Sequence, residues 1–515
     1  MSMAANNLQF LRVPGAMPVR GTDVNAIEWL TACRQMRDDG ARLVALWGSE
    51  RQATLAVHAA LAARDGLVIL RLPLSKEQPD FPGIEEMFPA ANRMQRAAFD
   101  LLGIQAQGSD DCRRWLRHAA WDAETFPLRA QFPERGHDVA ARDTVDDYPF
   151  VRVEGDGVHE IPVGPVHAGT IEPGHFRFSV IGERVLRLEE RLGYKHKGVE
   201  KCFTGMTLID GARLAARVSG DSAAAYGWAY AMAVESACRI GVPRRAAWLR
   251  ALLLERERIA NHLGDLGFIG NDAGLSFGLA QFSMLKEDLL RTNAALFGHR
   301  YLMDVIVPGG IVCDIEHNGR ERIFVEADHL EKTVSLLRKV YDEHAGLQDR
   351  LTACGVVSPA LAARLGLSGL AGRASGQAFD LRVQLPCEPY DRLDVRLATC
   401  QAGDVAARVA VRFDEISESL RIIRLALESM PLGEITTSLG EPPESAFGIG
   451  WVEGWRGDVL VALETDMSGR IARCHPHDPS WQNWPVLEHA VMDNIVPDFP
   501  LINKSFNLSY AGHDL

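Results

Sequence analysis

The chain has 515 residues, a hydrophobic content of 47% and a formal net charge of −13. This length is sufficient for two or three domains with separate cores, and the acidic balance argues against a nucleic-acid partner. The sequence contains no run of eighteen or more apolar residues, so it predicts no membrane span. The first residues lack the basic flank and apolar core of a signal peptide. We therefore expect a cytoplasmic protein that contacts a membrane only through partners.

The first predicted unit is a small α+β domain at residues 21–135, which follows a loose arm at residues 1–20. An amphipathic pattern predicts a helix over residues 25–37, and residues 84–102 predict a second helix that is broken near Pro89. Three apolar or alternating stretches predict strands at residues 42–47, 53–61 and 67–72. The charged, proline-terminated residues 136–150 predict a linker.

The second predicted unit is a large domain at residues 151–515. Its first forty residues are strand-like and predict a short antiparallel sheet. Alternation over residues 448–474 predicts a hairpin or small sheet near the C-terminus. We therefore predict an α+β fold, in which the large domain has a helix-bundle core and peripheral antiparallel sheets. The long helical stretches are residues 223–239, 243–266, 275–302, 320–351 and 404–430.

Histidines, charges and glycines concentrate in residues 161–222, just before the helical part of the chain. A Gly-Pro-x-His turn at Gly164 to His167 brings backbone and imidazole together, because glycine tolerates unusual dihedral angles and proline fixes its own. Farther on, Glu200 lies among lysines in the stretch GYKHKGVEK. Such ionisable groups beside apolar helices indicate a polar site inside an apolar body.

These motifs resemble the catalytic large subunit of membrane-bound nickel–iron hydrogenases of the hydrogenase-4 and formate-hydrogenlyase type. They also resemble the homologous large subunit of respiratory complex I. Both families carry the Gly-Pro-x-His motif, a His-Lys/Arg-Gly-x-Glu-Lys motif and an arginine before the site segment. Residues 81–104 resemble the small complex I subunit that sits beside the large one, which implies a docking role for the N-terminal domain. A fusion of the two subunits resembles the formate-hydrogenlyase large subunit, so the resemblance covers nearly the whole chain.

The sequence departs from the hydrogenases at the metal ligands. They read Arg-x-Cys-Gly-x-Cys where this chain has Ser219 and Ser222, and their second pair lies in a C-terminal Asp-Pro-Cys-x-x-Cys motif, whereas residues 505–515 contain no cysteine. Serine hydroxyls are poor ligands for a soft metal centre that needs thiolates. The nine cysteines show no C-x-x-C spacing, and the chain ends at Leu515 without the extension that maturation proteases remove. The resemblance therefore predicts that no nickel–iron centre is assembled.

The resemblance assigns roles to three residues around the cavity that receives the quinone head group in complex I. His167 lines that cavity, Asp272 lies near this histidine, and His175 matches a second histidine after a short insertion. An aspartate bonded to an imidazole suits proton transfer. The alternative for Asp272 is a helix N-cap. These three residues form the predicted cofactor-binding set.

Two more residues complete the predicted catalytic set. Glu200 matches the hydrogenase glutamate that passes protons near the metal, and its alternative is a surface ion pair with Lys197 or Lys201. Arg217 matches the arginine before the first cysteine pair, and its alternative is a buried, paired structural role. His262, on an amphipathic stretch, is predicted to be a core histidine. The predicted catalytic residues are His167, Glu200, Arg217 and Asp272.

The resemblance implies a large subunit of a membrane-associated, energy-converting redox complex on the cytoplasmic side of the inner membrane. The expected partners are a small subunit with a 4Fe–4S cluster and antiporter-like and proton-channel-like membrane subunits. Electrons would come from NADH or formate through other subunits, so NAD binding is expected only in such a complex. One alternative is reduction of a quinone or other small acceptor in the emptied cavity, although the complex I tyrosine that pairs with the histidine falls at Leu214. The other alternative is a non-catalytic scaffold.

Overall fold

The computed structural model describes residues 8–51, 54–133, 136, 148–169 and 171–515. Most of the predicted linker at residues 136–150 lies outside these described residues. Within them, no helix is both long enough and apolar enough to cross a membrane.

The N-terminal domain is built on a five-stranded sheet in the order β1-β2-β5-β4-β3. Strand β2 is parallel to β5, and the other neighbours are antiparallel. The first two strands extend this sheet, so the expectation of a loose arm at residues 1–20 is wrong from residue 11 onward. Two further strands, β6 and β7, pair in parallel. The elements are β1 (Leu11–Val13), β2 (Val19–Asp23), α1 (Ala26–Asp38), β3 (Arg42–Arg51), β4 (Thr54–Ala63), β5 (Gly66–Leu74), β6 (Asp80–Pro82), α2 (Ala91–Leu102) and β7 (Gln105–Gln107).

The two helices of this domain differ in how well their sequence predicts them. Helix α1 begins with a capping box, in which Asn25 Oδ1 accepts from the Glu28 amide at 3.0 Å and Glu28 Oε2 accepts from the Asn25 amide at 2.9 Å. Helix α2 begins only at Ala91, so the predicted helix over residues 84–102 is wrong in its first turns. The side chain of Gln95 instead accepts from the Ile84 amide at 2.9 Å and holds the preceding residues as a turn.

The large domain opens with the predicted antiparallel sheet, in the order β10-β9-β8. Its strands are β8 (Val158–Val163), β9 (His175–Ile181) and β10 (Arg184–Arg191). Residues 164–174 join β8 to β9, so the Gly-Pro-x-His turn lies at the rim of the sheet as predicted.

A helical core follows, and it confirms the predicted bundle. Helix α6 lies at its centre and contacts α5, α7 and α13. The predicted helix over residues 320–351 is interrupted at His344, whose ring accepts from the Leu347 amide at 3.0 Å and starts a new helix. The elements are α3 (Val199–Cys202), α4 (Leu208–Ala215), α5 (Ala223–Cys238), α6 (Arg244–Asp272), α7 (Ser276–Phe297), β11 (Ile306–Val307), β12 (Gly310–Ile311), α8 (His317–Glu343), α9 (Ala345–Leu351), α10 (Pro359–Leu365), α11 (Gly369–Ala374), α12 (Leu381–Gln384) and α13 (Val405–Ser429).

The C-terminal part adds a three-stranded antiparallel sheet and three helices. Every residue of β14 is buried, because the sheet packs on helix α5 and also, through β15, on β3 of the N-terminal domain. A Cβ atom at Gly450 would lie 1.9 Å from the Ala229 carbonyl oxygen, so glycine lets the helix approach. This antiparallel sheet therefore lies where the helical core meets the N-terminal domain. The elements are β13 (Phe447–Glu453), β14 (Asp458–Thr465), β15 (Ile471–His477), α14 (Ser480–Ala490), α15 (Phe499–Phe506) and α16 (Tyr510–Asp514).

Buried ion pairs tie the two domains together. Arg93 of α2 contacts Glu190 at 3.0 Å and Glu488 at 2.6 Å, and its guanidinium lies 4.6 Å from the centre of the Trp115 ring. Glu190 is buried. Desolvation raises its pKa, which Arg93 opposes.

Replacing Arg93 should therefore destabilise the protein strongly. We expect Arg93→Ala to lower the free energy of unfolding by about 3–5 kcal/mol, because it leaves Glu190 buried without its counter-charge. The matched control is Arg20→Ala, which removes an exposed pair with Asp65 and should cost about 0–1 kcal/mol. Urea unfolding of both variants measures the difference. Equal losses in the two variants would contradict the proposed importance of the interdomain pair.

Candidate functional site

The Gly-Pro-x-His turn places His167 beside the C-terminal segment. Gly164 has φ of +86°, and a Cβ atom there would lie 2.2 Å from the Gly174 carbonyl oxygen, so only glycine fits. The half-buried His167 ring has its centre 6.2 Å from that of Tyr510, and its Nδ1 lies 3.2 Å from the Pro165 carbonyl oxygen. Its Nε2 is buried and has no hydrogen-bond partner among the described residues. One ring nitrogen is thus available for a ligand or a water molecule.

His175 has local contacts on both sides of its ring. Its Nδ1 lies 3.3 Å from the Gly164 carbonyl oxygen, and its Nε2 accepts from Arg177 Nε at 3.3 Å. Burial lowers its pKa, which favours the neutral ring. These contacts give His175 a structural role at the base of the turn, and its role in cofactor binding stays a prediction.

Asp272 does not form the expected pair with His167. It is the last residue of α6 rather than the N-cap of the next helix, which begins after Leu275. Partial burial raises the pKa of its carboxyl group, and Lys504 opposes this shift. In the described part of the chain no hydrogen bond joins Asp272 to His167, and a shared role of these two residues stays a prediction.

Glu200 is a buried ion-pair partner and not a surface residue. Its Oε1 lies 2.7 Å from Arg473 Nη2 and 2.7 Å from His475 Nδ1, and both partners come from β15. Burial disfavours the ionised carboxylate, but Arg473 and His475 outweigh this effect and lower its pKa to about 2. The predicted alternative of a pair with Lys197 or Lys201 is therefore wrong. Lys201 instead donates to the Arg129 carbonyl oxygen at 3.1 Å.

Arg217 is exposed, contrary to the expected buried position. Its two Nη atoms each lie 2.6 Å from a different carboxylate oxygen of Asp304, and this hydrogen-bonded pair raises the pKa of Arg217. It is a surface partner of Asp304 and is not joined to the other predicted catalytic residues.

The two serines at the former ligand positions are buried and belong to a polar cluster around the half-buried Asp221. Ser219 Oγ lies 2.8 Å from Asp221 Oδ1 and 2.9 Å from Ser509 Oγ, and Ser222 Oγ donates to the same Asp221 oxygen at 3.2 Å. Arg456, which is buried, forms an ion pair with the Asp221 carboxylate and also lies 3.2 Å from Ser222 Oγ. Burial raises the pKa of Asp221, but Arg456 outweighs this and lowers it to about 2. The cluster holds a charged pair.

The contact between Ser219 and Ser509 indicates which residues of the C-terminal tail correspond to the second cysteine pair of the hydrogenases. Ser509 and Gly512 have the spacing of the two cysteines in Asp-Pro-Cys-x-x-Cys. A Cβ atom at Gly512 would lie 2.4 Å from Asp478 Oδ2, so no side chain fits there without moving this buried carboxylate. The four former ligand positions are therefore Ser219, Ser222, Ser509 and Gly512.

This donor set does not fit a nickel–iron centre. Three neutral hydroxyls and a glycine replace four thiolates, and the Arg456 guanidinium contributes positive charge beside them. Within the described ranges, no group of three or more His, Cys, Asp or Glu side chains is arranged to hold a metal ion.

Sequence reasoning missed the charged residues of this cluster. Asp221 and Arg456 are 235 positions apart and share no motif. Glu257, predicted only as a helix residue, accepts from the Ala224 and Ala225 amides at 2.6 and 3.1 Å. Burial raises its pKa to about 8, against the opposing effect of these hydrogen bonds. It is a buried carboxyl group whose pKa lies well above its ordinary value.

Comparison with known proteins finds matches in both domains. Residues 22–138 match the family described as the 30 Kd subunit of the respiratory-chain NADH dehydrogenase, and residues 272–442 match its 49 Kd subunit. The chain is 31% identical to hydrogenase-4 component G of Escherichia coli, over 87% of this chain and 78% of that protein. It is 28% identical to the C/D subunit of NADH-quinone oxidoreductase from Bacteroides fragilis, over 78% of this chain and 79% of that one.

Two further matches extend over a larger share of this chain or of the matched chain. A chain in the structure of the membrane-bound sulfane sulfur reductase, an archaeal respiratory membrane complex, aligns with a TM-score of 0.66 and 25% identity, over 70% of this chain and 99% of that chain. Formate hydrogenlyase subunit 5 of Escherichia coli is 30% identical over 92% of this chain and 85% of its own length. The chain therefore belongs to the family of fused 30 Kd and 49 Kd subunits that includes formate hydrogenlyase subunit 5 and hydrogenase-4 component G.

Proposed function

We propose that this protein is the large subunit of a membrane-associated redox complex that has no nickel–iron centre. In this proposal it couples electron transfer from a 4Fe–4S cluster in a small partner subunit to proton movement through membrane subunits. It attaches to the cytoplasmic side of the inner membrane through those partners. The resemblance to oxidoreductase subunits and to a respiratory membrane complex supports this assignment.

The observation that carries the proposal is the ion pair between Asp221 and Arg456 at the former metal position. A metal centre would require thiolates where the chain has hydroxyls, and the guanidinium supplies the local positive charge instead. Glu200 nevertheless remains buried and ionised beside His475. In this proposal the chain keeps the glutamate that matches the proton-transfer residue of the hydrogenases. The positions that match their metal ligands carry other residues.

The chain's own groups support a proton-coupling role. Arrival of an electron at a neighbouring cluster adds negative charge, which favours protonation of nearby carboxylates and imidazoles. Glu257, with its pKa of about 8, is poised to respond to such a change near neutral pH. In this proposal a proton passes along the 2.7 Å hydrogen bond between His475 Nδ1 and Glu200 Oε1.

We expect the purified complex to contain iron but no nickel above background, and to show no hydrogen uptake. Restoring the cysteines by Ser219→Cys, Ser222→Cys, Ser509→Cys and Gly512→Cys should not restore nickel binding, because Arg456 remains and the side chain at position 512 meets Asp478. Elemental analysis with a hydrogen-uptake assay measures both results. Stoichiometric nickel in the natural protein would overturn the proposal.

Removing the acid–base group at Glu200 should uncouple proton movement. We expect Glu200→Gln to lower proton translocation by the assembled complex about 100-fold, the range for loss of a proton-transferring side chain. The matched control is Glu160→Gln, which removes an exposed pair with Arg177 and should leave translocation unchanged. Proton uptake into inverted vesicles gives the measurement. Unchanged translocation in Glu200→Gln, with the complex intact, would contradict the coupling role.

A second candidate function is the reduction of a quinone or another small acceptor near His167. The chain has Leu214 where complex I has its quinone-pairing tyrosine, but Tyr510 approaches His167 from the C-terminal segment. Since Nδ1 donates to the Pro165 carbonyl oxygen, the unpartnered His167 Nε2 is free to accept a hydrogen bond from a hydroxyl group of the small molecule. The matched chain from a sulfane sulfur reductase complex also favours a small acceptor.

This second candidate predicts that His167 affects acceptor binding. We expect His167→Ala to raise the KM for a short-chain quinone about tenfold, because one hydrogen bond to the acceptor is lost. His159→Ala, on the exposed strand β8, is the control and should leave KM unchanged. Steady-state quinone reduction by the assembled complex decides between the two functions, since absence of any quinone-dependent turnover would exclude the second one.

A further inference from the structure

A small cavity lies where the N-terminal domain meets the C-terminal sheet. Its volume is about 30 Å³, and apolar residues of β3 and α2 form one wall. The opposite wall is polar and is formed by Glu200, Arg473, His475, His477, Trp481 and Asp514. A buried site needs about 10–15 Å³ and several polar partners to hold one water molecule. The cavity is therefore large enough for about two waters.

Three nitrogens on the polar wall have no protein partner among the described residues. They are His475 Nε2, His477 Nδ1 and Trp481 Nε1, and all three residues are buried. Native proteins satisfy such buried atoms with ordered water when no protein group reaches them. Three unpartnered nitrogens around one small cavity thus indicate bound water rather than empty space.

The two histidines are spaced for a bridging water. Their ring centres are 5.7 Å apart, and no direct hydrogen bond joins them. The other nitrogen of each ring already has a partner: His475 Nδ1 lies 2.7 Å from Glu200 Oε1, and His477 Nε2 lies 3.2 Å from Gln482 Oε1. A water between the free nitrogens completes a chain of hydrogen bonds that begins at Glu200.

Asp514 lies on the same polar wall and has partners outside the two histidines. Its carboxylate accepts from the Lys195 amide at 2.8 Å and lies 2.8 Å from His513 Nδ1. Its backbone carbonyl oxygen lies 2.8 Å from Nδ1 of His196, which is half-buried. Burial lowers the pKa of His475 and lowers that of His477 to about 3. Both rings are therefore neutral, with one N–H donor and one acceptor each.

We propose that this cavity binds about two water molecules, which join His477 to His475 and, through His475 Nδ1, to Glu200 in a proton relay. A neutral imidazole accepts a proton on one nitrogen and releases the proton from the other, so only N–H and O–H bonds form and break and the net charge of each ring is restored. The relay rests on the proposed function in one respect only, namely where the protons finally go. The hydration of the cavity and the exchange of the histidine protons with solvent do not depend on the proposed function.

The first test is the hydration itself. A cryo-electron-microscopy map of the assembled complex that resolves ordered water should show density within hydrogen-bonding distance of both His475 Nε2 and His477 Nδ1. A dry cavity at that resolution would overturn the proposal.

The second test measures proton exchange in the same complex labelled with ¹⁵N-histidine. We expect His477→Leu to slow solvent exchange of the His475 N–H at least about tenfold, since the water bridge loses one of its partners. His477→Gln retains a polar partner and should restore part of the rate. The control is His489→Leu in α14, outside the cavity, which should leave exchange unchanged. Exchange that is equally fast in His477→Leu would overturn the relay.

The two proposals fail in different ways. A wild-type complex that moves no protons across the membrane would overturn the proposed function, whereas fast His475 exchange and a hydrated cavity would still support the relay. A dry cavity with intact proton translocation would overturn the relay and leave the proposed function in place.

Discussion

The ion pair between Asp221 and Arg456 is the interaction on which the centre of this protein depends. Arg456 is buried and Asp221 is half-buried, so without Asp221 the guanidinium would be a buried charge without its partner, which is strongly destabilising. The pair gathers Ser219, Ser222 and the indole of Trp455, which donates to the Asp221 carbonyl oxygen at 2.9 Å. The hydroxyls, the carboxylate and the guanidinium at this position thus hold one another by charge and hydrogen bonding.

The C-terminal segment connects this pair to every other part of the site. Arg456 donates to the Asn507 carbonyl oxygen, Ser509 contacts Ser219, and Tyr510 lies beside His167. The carbonyl oxygen of Leu515 accepts from the Lys197 amide at 2.8 Å, next to the helix that carries Glu200. Residues that are distant in sequence therefore share one short segment. A change in this segment would reach the turn, the ion pair and the glutamate together.

The contact between the two domains also forms the surroundings of Glu200. Strand β15 packs on β3 of the N-terminal domain and supplies Arg473 and His475 to Glu200. Trp47 of β3 stacks on His475, with ring centres 5.2 Å apart. The N-terminal domain thus closes the apolar wall of the cavity beside Glu200. Fusion of the two domains in one chain keeps this wall and the buried glutamate together.

The sequence by itself determined the features that depend on neighbouring residues or on composition. The capping box at Asn25 and Glu28, the turn at Gly164 and the long amphipathic helices follow from local contacts, and the loss of the cysteines is visible without any structure. Only the tertiary structure decided which charges are buried and which partners they have. Glu200 was expected among nearby lysines and instead pairs with Arg473, and Arg217 was expected inside and lies at the surface. The physical reason is that desolvation and ion pairing depend on chain segments that meet only after folding.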